Sequence, residues 1–466
     1  MHTHTSSVEL TRANHVAHQQ LHRRWLGVAL SYGAVYLAGY VLLVTLGDYP
    51  HPGNWLLWAA VCMVVVLGIV RWILPHNHPP RTPRLYPTLG YGTGLTLVCG
   101  ALLFLLAGFL FAPRPSGLLA WLPALLYTVA RLVDYFDGYV ARITNHESKL
   151  GEILDIELDG LGMLIAITIA IQYGQLPLWY FPLGLARQLF IGGIWLRQRR
   201  NLPVHDLPPS DNRRITAGYQ TGFVCVILWP VFEPPLTTLA AALFAAPLLA
   251  GFVRDWLVVS DQIDPQSPTY LRLRRATKAL LEMWLPPVAR IVGSLLAASL
   301  LWQALPALTI WRAGLDSAAL AWLFAISFCL ALPLFLLGVL GRVAALFMIG
   351  LACLDSVLTG LNWQNGLLLG AAFVVAHFGA GRFALWSPEE AILHQRQGKP
   401  NAPPPTKPAD SSTPTDIAPR CEDSNRPGGD NGFCWRWRWR CCGGRWRQSP
   451  QQTCGRCCAS CSRAKS

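Results

Sequence analysis

Residues 134–159 read DYFDGYVARITNHESKLGEILDIELD, which puts four aspartates into 26 residues between long apolar runs. On a helix Asp134 and Asp137, three apart, share a face, and Ala141 and Arg142 return to it one to two turns later. Gly138 adds a spot without side chain, where a ligand or another helix can come close. The polar turn ITNHES, 143–148, interrupts the pattern, and Asp155 and Asp159, four apart, share a face of the next helix. Two adjacent helices can therefore each point a pair of carboxylates into one cleft. Four carboxylates in one cleft cannot all stay ionised unaided, because like charges oppose one another's ionisation. Two divalent cations would balance the four negative charges, and oxygen-only donors suit Mg2+ or Mn2+ rather than zinc. Paired ions of that kind clamp phosphate oxygens and activate a hydroxyl. The segment is expected to hold metal, and through it a phosphorylated substrate.

The surrounding sequence puts this cleft at a membrane. Of 466 residues, 53% are hydrophobic and 14% charged, against roughly 25% charged in soluble domains. Apolar runs recur, such as WLGVALSYGAVYLAGYVLLVTL from Trp25 and LGYGTGLTLVCGALLFLLAGFLFA from Leu89. About 20 apolar residues cross the hydrocarbon core, so the expected fold is an all-α integral membrane protein. About twelve transmembrane helices are expected, at 25–46, 54–73, 89–112, 116–136, 153–173, 177–196, 215–233, 236–257, 285–309, 317–338, 342–361 and 365–385. Residues 1–24 are polar and the first apolar run is too long for a signal-peptide core, so no cleaved signal is expected.

The cations sort by side. The segments 47–53 and 234–235 carry none, whereas alternate loops hold Arg81 and Arg84, then Arg197, Arg199, Arg200, Arg213 and Arg214, then Arg272, Arg274, Arg275 and Lys278. Positive loops stay inside, so both termini and the acidic segment are expected to be cytoplasmic. The net charge of +13, from 38 cations and 25 anions, follows from loops facing anionic head groups. Membrane lipids, and no nucleic acid, are the partners it implies.

Along the chain, the first eight spans end near residue 260. The basic connector SDQIDPQSPTYLRLRRATK leads into a second block of four spans, 285–385. From Gln395 the sequence QRQGKPNAPPPTKPADSSTPTD is Pro-, Ser- and Thr-rich and could form no apolar core, so residues 391–466 are expected to be a disordered tail. Residues 421–466 hold eight of the thirteen cysteines, including the CxxC pairs Cys454/Cys457 and Cys458/Cys461. Four thiolates can close a zinc site, but this segment has no framework to place them, and no zinc is expected. Its abrupt Trp/Arg/Cys bias resembles out-of-frame translation of a GC-rich gene end.

The pattern Asp134-x2-Asp137-Gly138-x2-Ala141-Arg142-x8-Gly151-x3-Asp155-x3-Asp159 resembles, at all eight fixed positions, the signature of the CDP-alcohol phosphatidyltransferases. That resemblance implies a six-helix membrane core over about 86–260, with 1–85 an extension of two transmembrane helices and 261–284 a basic linker. It implies an enzyme that displaces CMP from a CDP-linked lipid, usually CDP-diacylglycerol, by the hydroxyl of a second alcohol. Carried onto this chain, Asp134, Asp137, Asp155 and Asp159 are the ligands of two divalent ions, Mg2+ or Mn2+. Asp159 is also the general base. Asp134, Gly138, Ala141, Arg142 and Gly151 form the CDP site. Members of the family are often homodimers, and a bacterial plasma membrane fits.

Many acceptors in the family are phosphorylated, so a second cationic pocket is expected, with Arg131, Arg187, Arg197, Arg213 and Arg214 as candidates. The run RRITAGYQ, 213–220, distantly resembles the Lys-x-x-Thr-x-x-Gln region of phosphatidylglycerophosphate synthases, with Arg for Lys. This favours glycerol 3-phosphate as acceptor, with inositol phosphate as the alternative. A different class, an ion or proton transporter, would spread its acids across the bilayer, whereas these cluster at one edge. Residues 285–390 are similar to DoxX-like four-helix membrane domains through VARIVGSLL (288–296), FLLGVLGRVAALFMIGLA (335–352) and HFGAGRFAL (377–385). In that block Arg290, Arg342 and Arg382 read as anchors, His377 as a packing residue, and Asp355 has no evident partner.

Overall fold

Fifteen helices run through the described part of the chain, and no strand does. They are α1 His2–Leu46, α2 Pro52–Ile73, α3 Tyr91–Ala107, α4 Leu122–Ile143, α5 Lys149–Gln172, α6 Phe181–Gly184, α7 Ala186–Arg199 and α8 Asp211–Ile227. They continue as α9 Leu236–Val259, α10 Pro268–Lys278, α11 Leu285–Ala304, α12 Thr309–Leu315, α13 Ala318–Leu337, α14 Gly341–Thr359 and α15 Trp363–Phe378. The structure is a computed structural model that describes residues 2–46, 49–80, 82–205, 207, 211–304 and 309–388. The tail and its cysteine pairs lie outside the described residues.

Among these residues seven helical segments are long and apolar enough to cross a membrane: Asn14–Thr45, Pro52–His76, Gly117–Ile143, Leu236–Val259, Pro268–Ala304, Ala318–Leu337 and Gly341–Thr359. The other expected spans take different forms. The span at 89–112 is a helix only over Tyr91–Ala107, with turns from Gly108 and prolines at 113 and 115 beyond it. The span at 177–196 is broken at Leu185 between α6 and α7, just after Pro182 and Gly184. Helix α5 is of spanning length but carries the acids. The first helix begins at His2, so the polar N-terminal residues extend the helix ahead of its membrane-crossing segment.

The acidic turn is fixed locally. Ser148 caps α5 by accepting from Gly151 N at 3.0 Å, and Asn145 takes the left-handed conformation at φ 52° that Asn tolerates. His146 stacks on Tyr86 with centroids 4.1 Å apart and meets Thr88 Oγ1 at 3.0 Å. Lys149 N donates to His78 O at 2.9 Å. The turn is thereby docked on the strap that precedes α3.

Among the described residues there are two apolar cores. The first includes Trp55, Phe104, Tyr127, Leu158 and Ile165 and joins α1–α5 to α8 and α9. The second includes Phe324, Phe328, Phe335, Met348 and Val375 and joins α11 to α13, α14 and α15. The bundle of α11, α13, α14 and α15 rests on α8 and α9 through α15. There Phe244 and Phe373 meet edge to face at 4.6 Å and the Tyr219 hydroxyl donates to Ala376 O.

Candidate active site

The acidic cleft is made by α3, α4 and α5, and its shape begins with a glycine. A Cβ on Gly92 would lie 2.7 Å from Ala141 Cβ and 2.9 Å from Asp137 O, so only glycine lets α3 approach α4 backbone to backbone. Small residues at a membrane helix contact allow this closeness. One turn along α3, Thr96 Oγ1 donates to Asp137 Oδ2 at 2.6 Å, and Asp137 is only 8% exposed. A Cβ on Gly151 would lie 3.1 Å from Thr93 Oγ1, which brings α5 onto the same stretch of α3.

Asp134, Asp137 and Asp155 converge, each offering a carboxylate oxygen, with these atoms all within 4.8 Å of one another. Asp134 Oδ1 is buried and has no hydrogen-bond partner. A buried carboxylate oxygen without a donor is strongly disfavoured, and a cation is the partner that this donor set fits. The cluster can hold a hard divalent ion.

The fourth aspartate is placed differently. Asp159, with its side chain 52% exposed, stands outside that group and accepts at Oδ1 from Arg131 Nη1. The Arg131 side chain, 8% exposed, also lies 3.6 Å from Asp134 Oδ2. Gly162 lies beside it, and a Cβ there would press on Leu103 at 2.9 Å, so glycine lets α5 pack closely on α3 at this level. Arg131, expected to bind the acceptor phosphate, thus stands among the carboxylates.

The remaining candidates divide. Arg142 is exposed and its guanidinium lies over Gly138, where a Cβ would be 3.3 Å from Nη1. Ala141 packs against Gly92. Arg187, at the start of α7, pairs with Glu157 at 3.2 Å and approaches Gly160, next to Asp159. Arg197 donates to Pro203 O at 3.0 Å and Ser260 O at 3.1 Å, tying the end of α7 to the end of α9. Arg213 meets Asp255 at 3.4 Å. The side chain of Arg214 lies outside the described residues. An apolar groove of about 600 Å3, lined by Phe111, Ile171 and Phe181 among others, sits at the opposite end of α5 and is remote from the aspartates.

Sequence reasoning missed Gly92, Thr96 and the pairing of Arg131. A small residue followed four positions later by a hydroxyl, on an apolar helix, was the available signal for the first two. Asp355 does have partners: Trp311 Nε1 donates to it at 2.8 Å and Asn365 Nδ2 at 3.0 Å.

Residues 90–253 match the family model described as CDP-alcohol phosphatidyltransferase. Over 89 residues, 18% of this chain, it is 35% identical to the CDP-diacylglycerol--glycerol-3-phosphate 3-phosphatidyltransferase of Cereibacter sphaeroides, of which the match covers 39%. The Bacillus subtilis protein of the same name is 32% identical over 73 residues, 16% of this chain and 38% of its own. A Mycobacterium tuberculosis protein named "Putative cardiolipin synthase" is 28% identical over 130 residues, 27% of this chain and 60% of its own. The chain therefore spans less than two thirds of each of these relatives. No solved structure matches. The eight-position pattern lies inside the matched segment and three of its aspartates are brought together by α4 and α5, so residues 90–253 are similar to the CDP-alcohol phosphatidyltransferase family in both sequence and site.

Proposed function

We propose that the cleft of α3, α4 and α5 transfers a phosphatidyl group from CDP-diacylglycerol to the hydroxyl of a small alcohol and releases CMP. The single observation that carries this reading is the convergence of Asp134, Asp137 and Asp155 within the segment that matches the family. Glycerol 3-phosphate is the proposed acceptor. Its support is the names of the Cereibacter and Bacillus relatives and an arginine-rich approach to the cleft.

Asp134, Asp137 and Asp155 would hold Mg2+ or Mn2+, with Asp159 completing the site for a second ion. When bound, such ions neutralise the diphosphate and raise the acidity of the attacking hydroxyl. The acceptor oxygen bonds to the β-phosphorus, the bond to CMP breaks, and the hydroxyl proton passes to Asp159. Arg131 grips one Asp159 oxygen and so fixes where the other accepts that proton. Thr96 sets the angle of Asp137. Arg142, beside Gly138, is placed to pair with the diphosphate. Arg187, which reaches from α7 to Glu157 and Gly160 beside Asp159, is the proposed anchor for the acceptor phosphate.

The cation sorting supports a cytoplasmic cleft in a bacterial plasma membrane. The proposed organisation is an N-terminal extension, the transferase core and a DoxX-like accessory bundle, assembled as a homodimer.

The test is CMP release from CDP-diacylglycerol by membranes holding the full chain. The acceptor panel is glycerol 3-phosphate, inositol phosphate, inositol, serine and a glycerol-headed phospholipid. Release with glycerol 3-phosphate is expected, lost with chelator, restored by Mg2+ or Mn2+ and absent in Asp159→Ala. Folded protein that binds neither metal nor CDP-lipid would refute the reading.

A further inference from the structure

The bundle of α11, α13, α14 and α15 buries a charge that the transferase cleft does not use. Arg290, near the start of α11, is 3% exposed. Its Nη2 donates to Arg382 O at 3.0 Å, but Nε and Nη1 are buried with no acceptor. Among the described residues no carboxylate lies within 4 Å of it. A buried guanidinium without a counter-charge is strongly disfavoured, and an anion is the partner that this geometry lacks.

The surroundings form a built cradle. The first turns of α11 and α14 and the last turns of α13 and α15 meet at this end of the bundle. Gly338 ends α13 at φ 68°, and a Cβ there would collide with Arg290 Nη1, so glycine supplies the room for the guanidinium. Residues 379–386 close over it. Arg382 N donates to Met283 O at 3.1 Å, Leu385 N to Leu337 O at 2.9 Å, and Leu340 N to Trp386 O at 2.8 Å. The Arg382 guanidinium lies 5.3 Å from the ring centroids of Trp284 and Phe383, and it too has no carboxylate within 4 Å among the described residues.

The approach is also suited to an anion. Helix α10 leads into this corner with exposed Arg272, Arg274, Arg275 and Lys278. Leu273, Leu280 and Trp284 beside them are at least half exposed. Basic side chains mixed with exposed apolar ones concentrate phosphate-bearing head groups at a membrane surface.

We propose that this end of the bundle is a second anion site, in which Arg290 is the buried counter-charge of a phosphate group and Arg382 guards its rim. The phosphate comes from an anionic lipid head group or from free phosphate; the chemistry recognised is the same. The site is independent of the transferase reading.

The full chain, purified in detergent and stripped of lipid, is titrated with short-chain phosphatidylglycerol and separately with inorganic phosphate. Wild type, Arg290→Met and Arg290→Lys are compared by binding and by thermal midpoint. Loss of a charge-assisted contact weakens binding by about ten- to a hundredfold, so Arg290→Met is expected to show that loss and Arg290→Lys a smaller one. Without ligand, Arg290→Met is expected to unfold no earlier than wild type, because an unmatched charge has been removed. An effect on the lipid titration alone assigns the site to a head group; an effect on phosphate assigns it to the free ion. If Arg290→Met lowers the ligand-free midpoint and leaves both titrations unchanged, the arginine is only a brace on Arg382 O and the proposal fails.

Discussion

Replacing Gly92 by alanine tests how the cleft is built. In an exposed helix interior this change stabilises by up to about 1 kcal/mol, because glycine is the poorer helix former. At Gly92 the added Cβ would sit 2.7 Å from Ala141 Cβ and 2.9 Å from Asp137 O. Carbon atoms pack at about 3.5–4.0 Å, so α3 and α4 must part by about 1 Å. The obstacle is backbone and a methyl, neither of which can rotate away. Overpacking of this kind costs about 1–3 kcal/mol, so the thermal midpoint is expected to fall despite the gain in propensity. The larger effect is on chemistry. Asp137 belongs to the displaced segment, and its bond to Thr96 crosses the widened gap. A displacement of about 1 Å at a reacting centre costs roughly a hundredfold in rate. The assay is CMP release per unit of folded protein in membranes. Gly94→Ala is the control, because a Cβ at Gly94 meets nothing within 4 Å, and it should keep full activity. Gly92→Ala with activity within twofold of wild type would sink the argument that this seam sets the cleft.

Three further outcomes are expected. Asp134→Asn, Asp137→Asn and Asp155→Asn should each weaken Mn2+ binding, followed by paramagnetic resonance, by more than about a hundredfold; a variant that binds normally is not a ligand. Thr96→Val removes the 2.6 Å bond to Asp137 and should weaken Mn2+ binding by about ten- to a hundredfold, as loss of a supporting contact does. Arg131→Met removes a cation 3.6 Å from Asp134, so Mn2+ affinity should rise by about tenfold or more while turnover falls; Coulomb attraction at this range is worth several kcal/mol at intermediate dielectric. Unchanged or weaker Mn2+ binding in that variant would show that Arg131 does not compete for the carboxylates.

The acidic segment was legible because its meaning is carried by local spacing. Two helical pairs of aspartates and a polar turn between them are visible within 26 residues, and the Ser148 cap begins α5 where the turn ends. What the spacing could not supply was the third wall. Gly92 and Thr96 stand some forty residues before Asp137, and nothing in an apolar run says which of its small residues will face a carboxylate. Arg131 was singled out for its depth as a candidate for the acceptor phosphate, and its spacing from Asp134 also lets the guanidinium turn back onto Asp134 and across to Asp159. Asp355 seemed solitary because its donors, Trp311 and Asn365, are on two other helices. The span count was read from apolar length alone, and Pro182, Gly184 and Gly108 interrupt helices that length would have continued.

The two buried arginines show why burial by itself does not identify a site. Arg131 and Arg290 are comparably hidden, and each has two guanidinium nitrogens without an acceptor. Arg131 lies against two carboxylates, so its charge is already answered within the protein, and its function is to organise acids that must also accept a metal. Among the described residues Arg290 has one backbone carbonyl and no acid. A carbonyl satisfies a donor but cannot neutralise a charge, and in a membrane protein that difference is large because no bulk water screens it. The same side chain, equally buried, is therefore an internal counter-ion at one end of the chain's architecture and an unanswered charge at the other. Only the second requires a partner from outside.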